Sequence, residues 1–196
     1  DSISYDYERA RTEDYNSFIN NYLSQEFRFF MDNLSGKKIL DLGSGTGRDS
    51  LFFKQNRLQP VCVDVSPIMI EICRERGLEA YEKDMESLDF DDNSFDGIWA
   101  YASLLHIPKK RIHNTLARVK ELLRPDGLFF VGMVEGDEEI IYRNDKSSYG
   151  RFFSLYNHEE LKQILEEYFD IINFKRFNVR TSQEAYLNYI CKKKIA

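Results

Sequence analysis

Short apolar runs alternate with amphipathic stretches along most of this chain. Residues 37–42, 60–64, a short run near 79–82, and 95–101 read as strands, with helices expected over 47–57 and 67–76. Their alternation with helices predicts a parallel sheet with helices on either side. Ser66 and Pro67 supply an N-cap and a first helical residue. Pro108 opens a further helix with Ile112, Leu116, Val119 and Leu123 on one stripe, and Pro125-Asp126-Gly127 turns the chain into a strand over 127–134.

Ahead of the sheet, residues 12–31 place Tyr15, Phe18, Ile19, Tyr22, Leu23 and Phe30 near helical spacing, with Glu13 and Asp14 in the favourable first turn. Residues 135–156 break the rhythm with a polar stretch around isolated aromatics. Asn157 with Glu160 then forms a capping box for a helix facing Leu161, Ile164, Leu165 and Tyr168 inward. Two β-rich runs, 169–178 and 185–192, follow as a hairpin. The 196 residues suit one domain, with residues 1–34 as a leading helical cap and 135–156 as an insertion.

Candidate chemistry begins at residues 39–50, Ile-Leu-Asp-Leu-Gly-Ser-Gly-Thr-Gly-Arg-Asp-Ser. An apolar strand running into closely spaced glycines and then a helix brings bare backbone N–H groups to a ligand. The spacing departs from the dinucleotide pattern G-x-G-x-x-G, because Arg48 stands where the third glycine belongs and the glycine comes one residue early at Gly47. Asp41 adds a carboxylate just before the turn. Asp64 ends the next strand 23 residues later, where a βαβ unit places the acid that grips a ribose. Tyr81-Glu82-Lys83-Asp84-Met85, then Phe95 to Tyr101 leading into Ser103-Leu104-Leu105-His106-Ile107-Pro108, and finally Leu122 to Val131 complete an ordered series of five segments.

That series resembles the class I S-adenosylmethionine (SAM) methyltransferases over roughly residues 37–134. The resemblance implies a three-layer Rossmann-like α/β sandwich around a seven-stranded, mostly parallel sheet in the order 3-2-1-4-5-7-6, with only strand 7 antiparallel. It implies SAM as cofactor and S-adenosylhomocysteine as product, held by Asp41, Gly43, Ser44, Gly45, Gly47, Arg48, Asp64, Val65, Asp84, Met85 and Tyr101. Asp64 would take the ribose and Asp84 the adenine amino group; Asp41 faces the methionyl ammonium or caps the turn, and Arg48 pairs with the methionyl carboxylate or stays solvated. His106 is the catalytic candidate, as a general base for a protonated acceptor atom or as a packing residue. Acceptor contacts are expected from the leading helix and the 135–156 insertion, through Tyr15, with Tyr5 and Tyr7 beside it in sequence, and through Arg151 and Tyr156 in a lid. Phe152 and Phe153 read as filler between strand 5 and the next helix.

Charge and cysteines narrow the partners. Twenty-seven basic against 33 acidic residues leave a net charge of −6, which disfavours nucleic acid held by bulk electrostatics; the runs Lys109 to Arg111 and Lys192 to Lys194 read as solvated faces. Cys62, Cys73 and Cys191 are odd in number and unpaired in spacing, so neither a disulfide framework nor a metal site is expected, and a reducing cytoplasm fits. No 18-residue apolar run points to a membrane. The chain opens at Asp1 rather than methionine, which leaves room for residues ahead of it. The reading is therefore a methyltransferase acting on oxygen or nitrogen of a small-molecule acceptor. Three alternatives stand beside it: an RNA or protein methyltransferase of the same fold, a SAM-binding module without chemistry, and decarboxylated-SAM chemistry. No Asn/Asp-Pro-Pro-Tyr/Phe motif is present at residues 101–104. The sequence leaves the oligomeric state open.

Overall fold

The computed structural model describes residues 23–142, 150–178 and 184–194. It divides into two compact units, residues 1–33 and 34–196. In the first, helix α1 spans Ser24–Asp32 and buries Phe27 and Phe30. The earlier part of the expected leading helix, Tyr15 included, lies outside the described residues, as do Tyr5 and Tyr7.

The second unit alternates as its apolar pattern predicts. Strand β1 (Lys38–Leu42) leads to α2 (Arg48–Gln55), β2 (Gln59–Asp64), α3 (Pro67–Glu75), β3 (Glu79–Glu82) and β4 (Phe95–Tyr101). Then come α4 (Ile112–Leu122), β5 (Leu123–Val134), a short pair β6 (Glu139–Tyr142) and β7 (Arg151–Ser154), α5 (His158–Tyr168), β8 (Phe169–Asn178) and β9 (Ala185–Lys193). Seven strands among the described residues form one sheet in the order β3-β2-β1-β4-β5-β9-β8. Pairings among β1 to β5 are parallel, while β9 runs antiparallel to both β5 and β8. Without the β6–β7 hairpin in the count, β8 and β9 are the sixth and seventh strands, and the order is the expected 3-2-1-4-5-7-6.

β1 and β4 are buried on both faces, Asp41 and Asp96 included. One face packs Leu40, Leu42, Ile98, Ala100, Phe129 and Val131 against Ile112, Leu116 and Val119 of α4 and Leu161 and Leu165 of α5. On the other face Trp99 stacks on Phe130 at 3.6 Å between centroids and meets Phe53 of α2 edge-on at 5.3 Å. Its indole N–H donates to Asp49 Oδ2 at 2.8 Å, so the large ring is buried without losing its polar partner. Cys62, Ile70, Cys73, Leu78 and Ala80 form a smaller cluster between β2, α3 and β3.

Three local expectations need correction. Ser66 occupies the N-cap of α3 but its side chain caps nothing; Asp64 Oδ1 instead accepts the Ser66 N–H at 2.9 Å. The Pro125-Asp126-Gly127 segment is not a turn before β5 but an irregularity inside it. Leu123 already pairs with Phe95, the register shifts before Gly97, and Asp126 takes a left-handed φ of 65°. The 135–156 stretch is not irregular throughout, since Ile140 pairs with Phe153 and Ile141 with Phe152 in an antiparallel ladder. Adjacent rather than alternating apolar residues conceal so short a ladder from a period-two reading.

Of the expected capping box of α5, the Asn157 half forms, its Oδ1 accepting the Glu160 N–H at 2.9 Å, while both Glu160 oxygens accept from Lys109. Asn157→Ala should cost about 1 kcal/mol and lower the thermal midpoint by roughly 2–4 °C. A calorimetric scan with an unchanged midpoint would remove that cap from the stabilising contacts.

Candidate functional site

The glycine turn leaves β1 and is tied at once to β2. Gly43 and Ser44 both donate their N–H to the Val63 carbonyl, at 2.8 and 2.9 Å, and Gly45 donates to Asp64 Oδ2 at 2.9 Å. Gly43, Gly45 and Gly47 have φ of 74, 53 and 77°. A Cβ at Gly43 would lie 2.4 Å from Ser103 Cβ, and one at Gly47 would lie 2.5 Å from Leu78 Cδ1 and 2.9 Å from Cys73 Sγ. A Cβ at Gly45 would meet nothing within 4 Å. Two glycines therefore let the turn close against the protein, and the middle one faces open space.

The acids stand at neighbouring strand ends. Asp64 uses one oxygen for Gly45 and the other for Ser66, but a carboxylate offers about four lone-pair sites, so each oxygen keeps acceptor capacity. Val65 beside it is 58% exposed. Asp84 is exposed after β3 and holds the Glu86 N–H at 2.9 Å in a side-chain turn, with Met85 half-buried behind it. The methyl end of Met85 lies 3.4 Å from the Cβ position of Gly43. The order β3-β2-β1-β4 thus brings Asp84, Asp64, the glycine turn and the β4 exit along one edge.

Asp41 sits differently. Its carboxyl is 3% exposed and accepts from Ser50 Oγ at 2.7 Å. Burial first, then Cys62 and Asp49 beside it, hold that carboxyl well above the usual carboxylate range, with Ser50 and Arg48 acting in the opposite direction. Arg48, in the first turn of α2, is half-buried. Tyr101 ends β4 at this edge, but its ring turns toward β5 and β9, stacking on Tyr186 at 5.6 Å and crowding Gly132, whose Cβ would lie 2.5 Å from the ring.

Beyond β4, a single helical turn over Leu104–His106 carries the histidine. His106 Nδ1 lies 2.8 Å from the Phe152 carbonyl, and Nε2 lies 3.2 Å from Arg151 Nη2. Its ring also meets Phe153 edge-on at 4.9 Å. Burial, reinforced by the Arg151 charge, lowers the imidazole pKa, against the Phe152 carbonyl and the Asp64 carboxylate, which raise it. The hairpin therefore packs against the β4 exit, on the same edge as Gly43 and Asp64, and Arg151 is exposed beside His106.

Tyr156 is not a pocket wall. Its side chain is 0% exposed within the main core, and Lys109 Nζ lies 4.6 Å above the ring. The same ammonium donates to both Glu160 oxygens, at 2.9 and 2.7 Å, and to the Asp137 carbonyl at 3.1 Å. Phe153 packs partly against the core as expected, while Phe152 contributes its backbone carbonyl to the site. The expected solvated basic runs are largely engaged: Arg111 pairs with Glu86, Lys192 with Asp126, Lys193 bonds the Leu123 carbonyl, and Lys194 the Glu166 carbonyl. The sequence reading missed Ser103, 4% exposed against Gly43, with a buried hydroxyl lacking a hydrogen-bond partner among the described residues. Its place between β4 and His106 was the available signal. Among the described residues no group of three or more His, Cys, Asp or Glu could hold a metal ion, and no helix is long and apolar enough to cross a membrane.

Known proteins share this fold. The profile of the methyltransferase domain family matches residues 39–127. A phthiotriol/phenolphthiotriol dimycocerosates methyltransferase of Mycobacterium leprae is 36% identical over 105 residues, covering 48% of this chain and 37% of that protein. The chain spans 37 to 39% of the length of this and two further curated relatives. A SAM-dependent methyltransferase from Methanosarcina mazei superposes with a TM-score of 0.76 at 18% identity, covering 86% of this chain and 98% of that one. The 1,6-didemethyltoxoflavin-N1-methyltransferase of Burkholderia thailandensis, solved with its substrate and S-adenosylhomocysteine, gives 0.73 at 22% identity over 98% of this chain and 88% of that one. With the glycine turn and strand-end acids inside residues 39–127, this chain carries a methyltransferase domain in the fold of the SAM-dependent methyltransferases.

Proposed function

We propose that this chain transfers a methyl group from SAM to an oxygen or nitrogen of a small-molecule acceptor, leaving S-adenosylhomocysteine. The observation that carries the reading is the open space at Gly45, bordered by the Asp64 carboxylate and the exposed Val65. A flat, polar-edged ligand with a ribose fits those residues: Asp64 accepts from its hydroxyls, Val65 and Met85 give the base apolar contact, and Asp84 takes the adenine amino group. Gly43, Ser44, Gly45 and Gly47 line the ligand with backbone, and Tyr101 closes the edge at β4. Arg48 pairs with the methionyl carboxylate, and Asp41 lies beneath the turn for the ammonium. SAM supplies a methyl already activated on a sulfonium, so the protein's task is chiefly to hold the acceptor in line.

His106 takes the proton that a hydroxyl or protonated amine loses as it accepts the methyl. Arg151 borders the acceptor space from the hairpin. The small-molecule relatives and the engagement of both basic runs in internal contacts support a small acceptor over nucleic acid. Three free, buried cysteines suit a reducing, cytoplasmic setting. Incubation with methyl-labelled SAM and a metabolite extract should place label on a small molecule by mass spectrometry; label found only in RNA or protein would reject the acceptor class.

Asp64→Ala should weaken SAM binding by on the order of 10- to 150-fold, the value of a charge-assisted hydrogen bond. Unchanged affinity by calorimetry would remove Asp64 from the ribose. Gly45→Ala should stay folded, since its methyl enters open space at a left-handed cost of roughly 1–2 kcal/mol, yet lose SAM binding. Gly47→Ala should instead lower the thermal midpoint further, because its methyl meets Leu78 and Cys73. Equal effects of the two substitutions on stability and binding would refute the division of labour.

Asp41 gives a pH signature. Burial favours its protonated form in the free protein, whereas a ligand ammonium favours the carboxylate, so SAM binding should release a proton and tighten as pH rises toward the raised pKa. Calorimetry in buffers of different ionisation enthalpy measures that release, and Asp41→Asn should abolish it. No release in the wild type would take Asp41 out of cofactor contact.

A further inference from the structure

The two contacts of His106 define which of its nitrogens carries the proton. A guanidinium has only N–H donors, so the Arg151 Nη2 lying 3.2 Å from Nε2 requires a lone pair there. The Phe152 carbonyl, 2.8 Å from Nδ1, has only lone pairs and requires an N–H. Both are met by the neutral imidazole protonated at Nδ1, and an imidazolium would set one N–H against another. His106 is thus a base whose basic nitrogen is covered by Arg151.

Arg151 is itself under-used. Arg111, Arg118, Arg124 and Arg176 each pair with a carboxylate, whereas Arg151, exposed on β7, forms no ion pair among the described residues. Among the described residues its side chain contacts the His106 ring nitrogen and the Phe153 ring, 5.8 Å from its guanidinium carbon. A planar fork of donors without an anionic partner, beside a candidate base, suits the carboxylate or phosphate of a substrate.

We propose that Arg151 selects an acceptor bearing a carboxylate or phosphate next to the hydroxyl or N–H to be methylated, and that pairing with this anion draws Arg151 off His106 and uncovers Nε2. The inference rests on the methyl transfer proposed above. In the step itself Nε2 takes the acceptor proton and becomes N–H. The acceptor lone pair forms the new bond to the methyl carbon, and the carbon–sulfur pair returns to sulfur, so that the sulfonium charge ends on the imidazolium. The Phe152 carbonyl is the positioning group, holding Nδ1–H throughout.

Histidine-labelled protein with S-adenosylhomocysteine bound tests this by nitrogen–proton NMR, with salicylate as the probe anion and phenol as its uncharged counterpart. The resonance of His106, assigned by His106→Asn, should show a proton on Nδ1 and none on Nε2. Besides Arg151 on β7, the charged group acting on this imidazole is Asp64 at the end of β2. Salicylate neutralises the Arg151 charge, so the His106 pKa should rise when it binds, and phenol should leave it unchanged. Arg151→Met should titrate higher from the start, lose the response and bind salicylate about tenfold or more weakly. A proton on Nε2, an equal response to phenol, or an undiminished salicylate response in Arg151→Met would overturn the proposal. Calorimetry with S-adenosylhomocysteine keeps the two readings apart. Binding without the salicylate response rejects only the anion, and no binding rejects the cofactor assignment beneath it.

Discussion

The site depends on how the turn after β1 is fastened to the end of β2. One carbonyl, Val63, accepts the N–H groups of both Gly43 and Ser44, and one carboxylate, Asp64, bridges Gly45 to Ser66. These contacts set where α2 and α3 begin, because each helix starts within a few residues of a pinned N–H. A parallel sheet makes such fastening possible: adjacent strands end at the same level, so the backbone leaving one can be satisfied by its neighbour. An unsatisfied buried N–H costs about as much as a lost hydrogen bond, and glycines can lie this close to the next strand only if their N–H groups are received there.

Asp64 consequently has two tasks. It receives the Gly45 N–H of the left-handed turn, and each of its oxygens keeps acceptor capacity for a further donor. A group already oriented by two backbone donors loses little freedom when it takes a third, which is how preorganisation favours binding. Asp41 illustrates the opposite environment. One strand away, buried against Ser50 with Cys62 and Asp49 nearby, the same side chain is driven toward its neutral form.

The β6–β7 pair is held at its base and along β7. Lys109 fastens its base through Glu160 and the Asp137 carbonyl, and stacks on Tyr156. The Phe152 carbonyl fastens its other strand to His106. A buried ring under an ammonium, in place of an aromatic wall facing solvent, anchors the segment in the core at Tyr156, while β7 reaches His106.

Much of this architecture was legible in the chain. Short apolar runs marked β1, β2 and β4 because these strands are buried, and the glycine spacing marked the tight turn after β1 because few residues other than glycine tolerate those φ values. Resemblance to a family provided the strand order, which periodicity alone does not contain. Other features were decided by contacts distant in sequence. Tyr156 and Arg151 look alike as polar-edged residues in one irregular stretch, yet one is covered by Lys109 and the core while the other reaches His106. Ser66 takes the N-cap position of α3 as expected, yet its hydroxyl caps no helix N–H, and its own N–H is received by Asp64. The Pro125-Asp126-Gly127 segment carries turn residues, yet pairing with Phe95 draws Leu123 into the strand. Local pattern determines which backbone conformations each segment can adopt, since that is a matter of sterics within a few residues. Which donor meets which acceptor, and which side chain is buried, depends on neighbours brought together only when the sheet assembles.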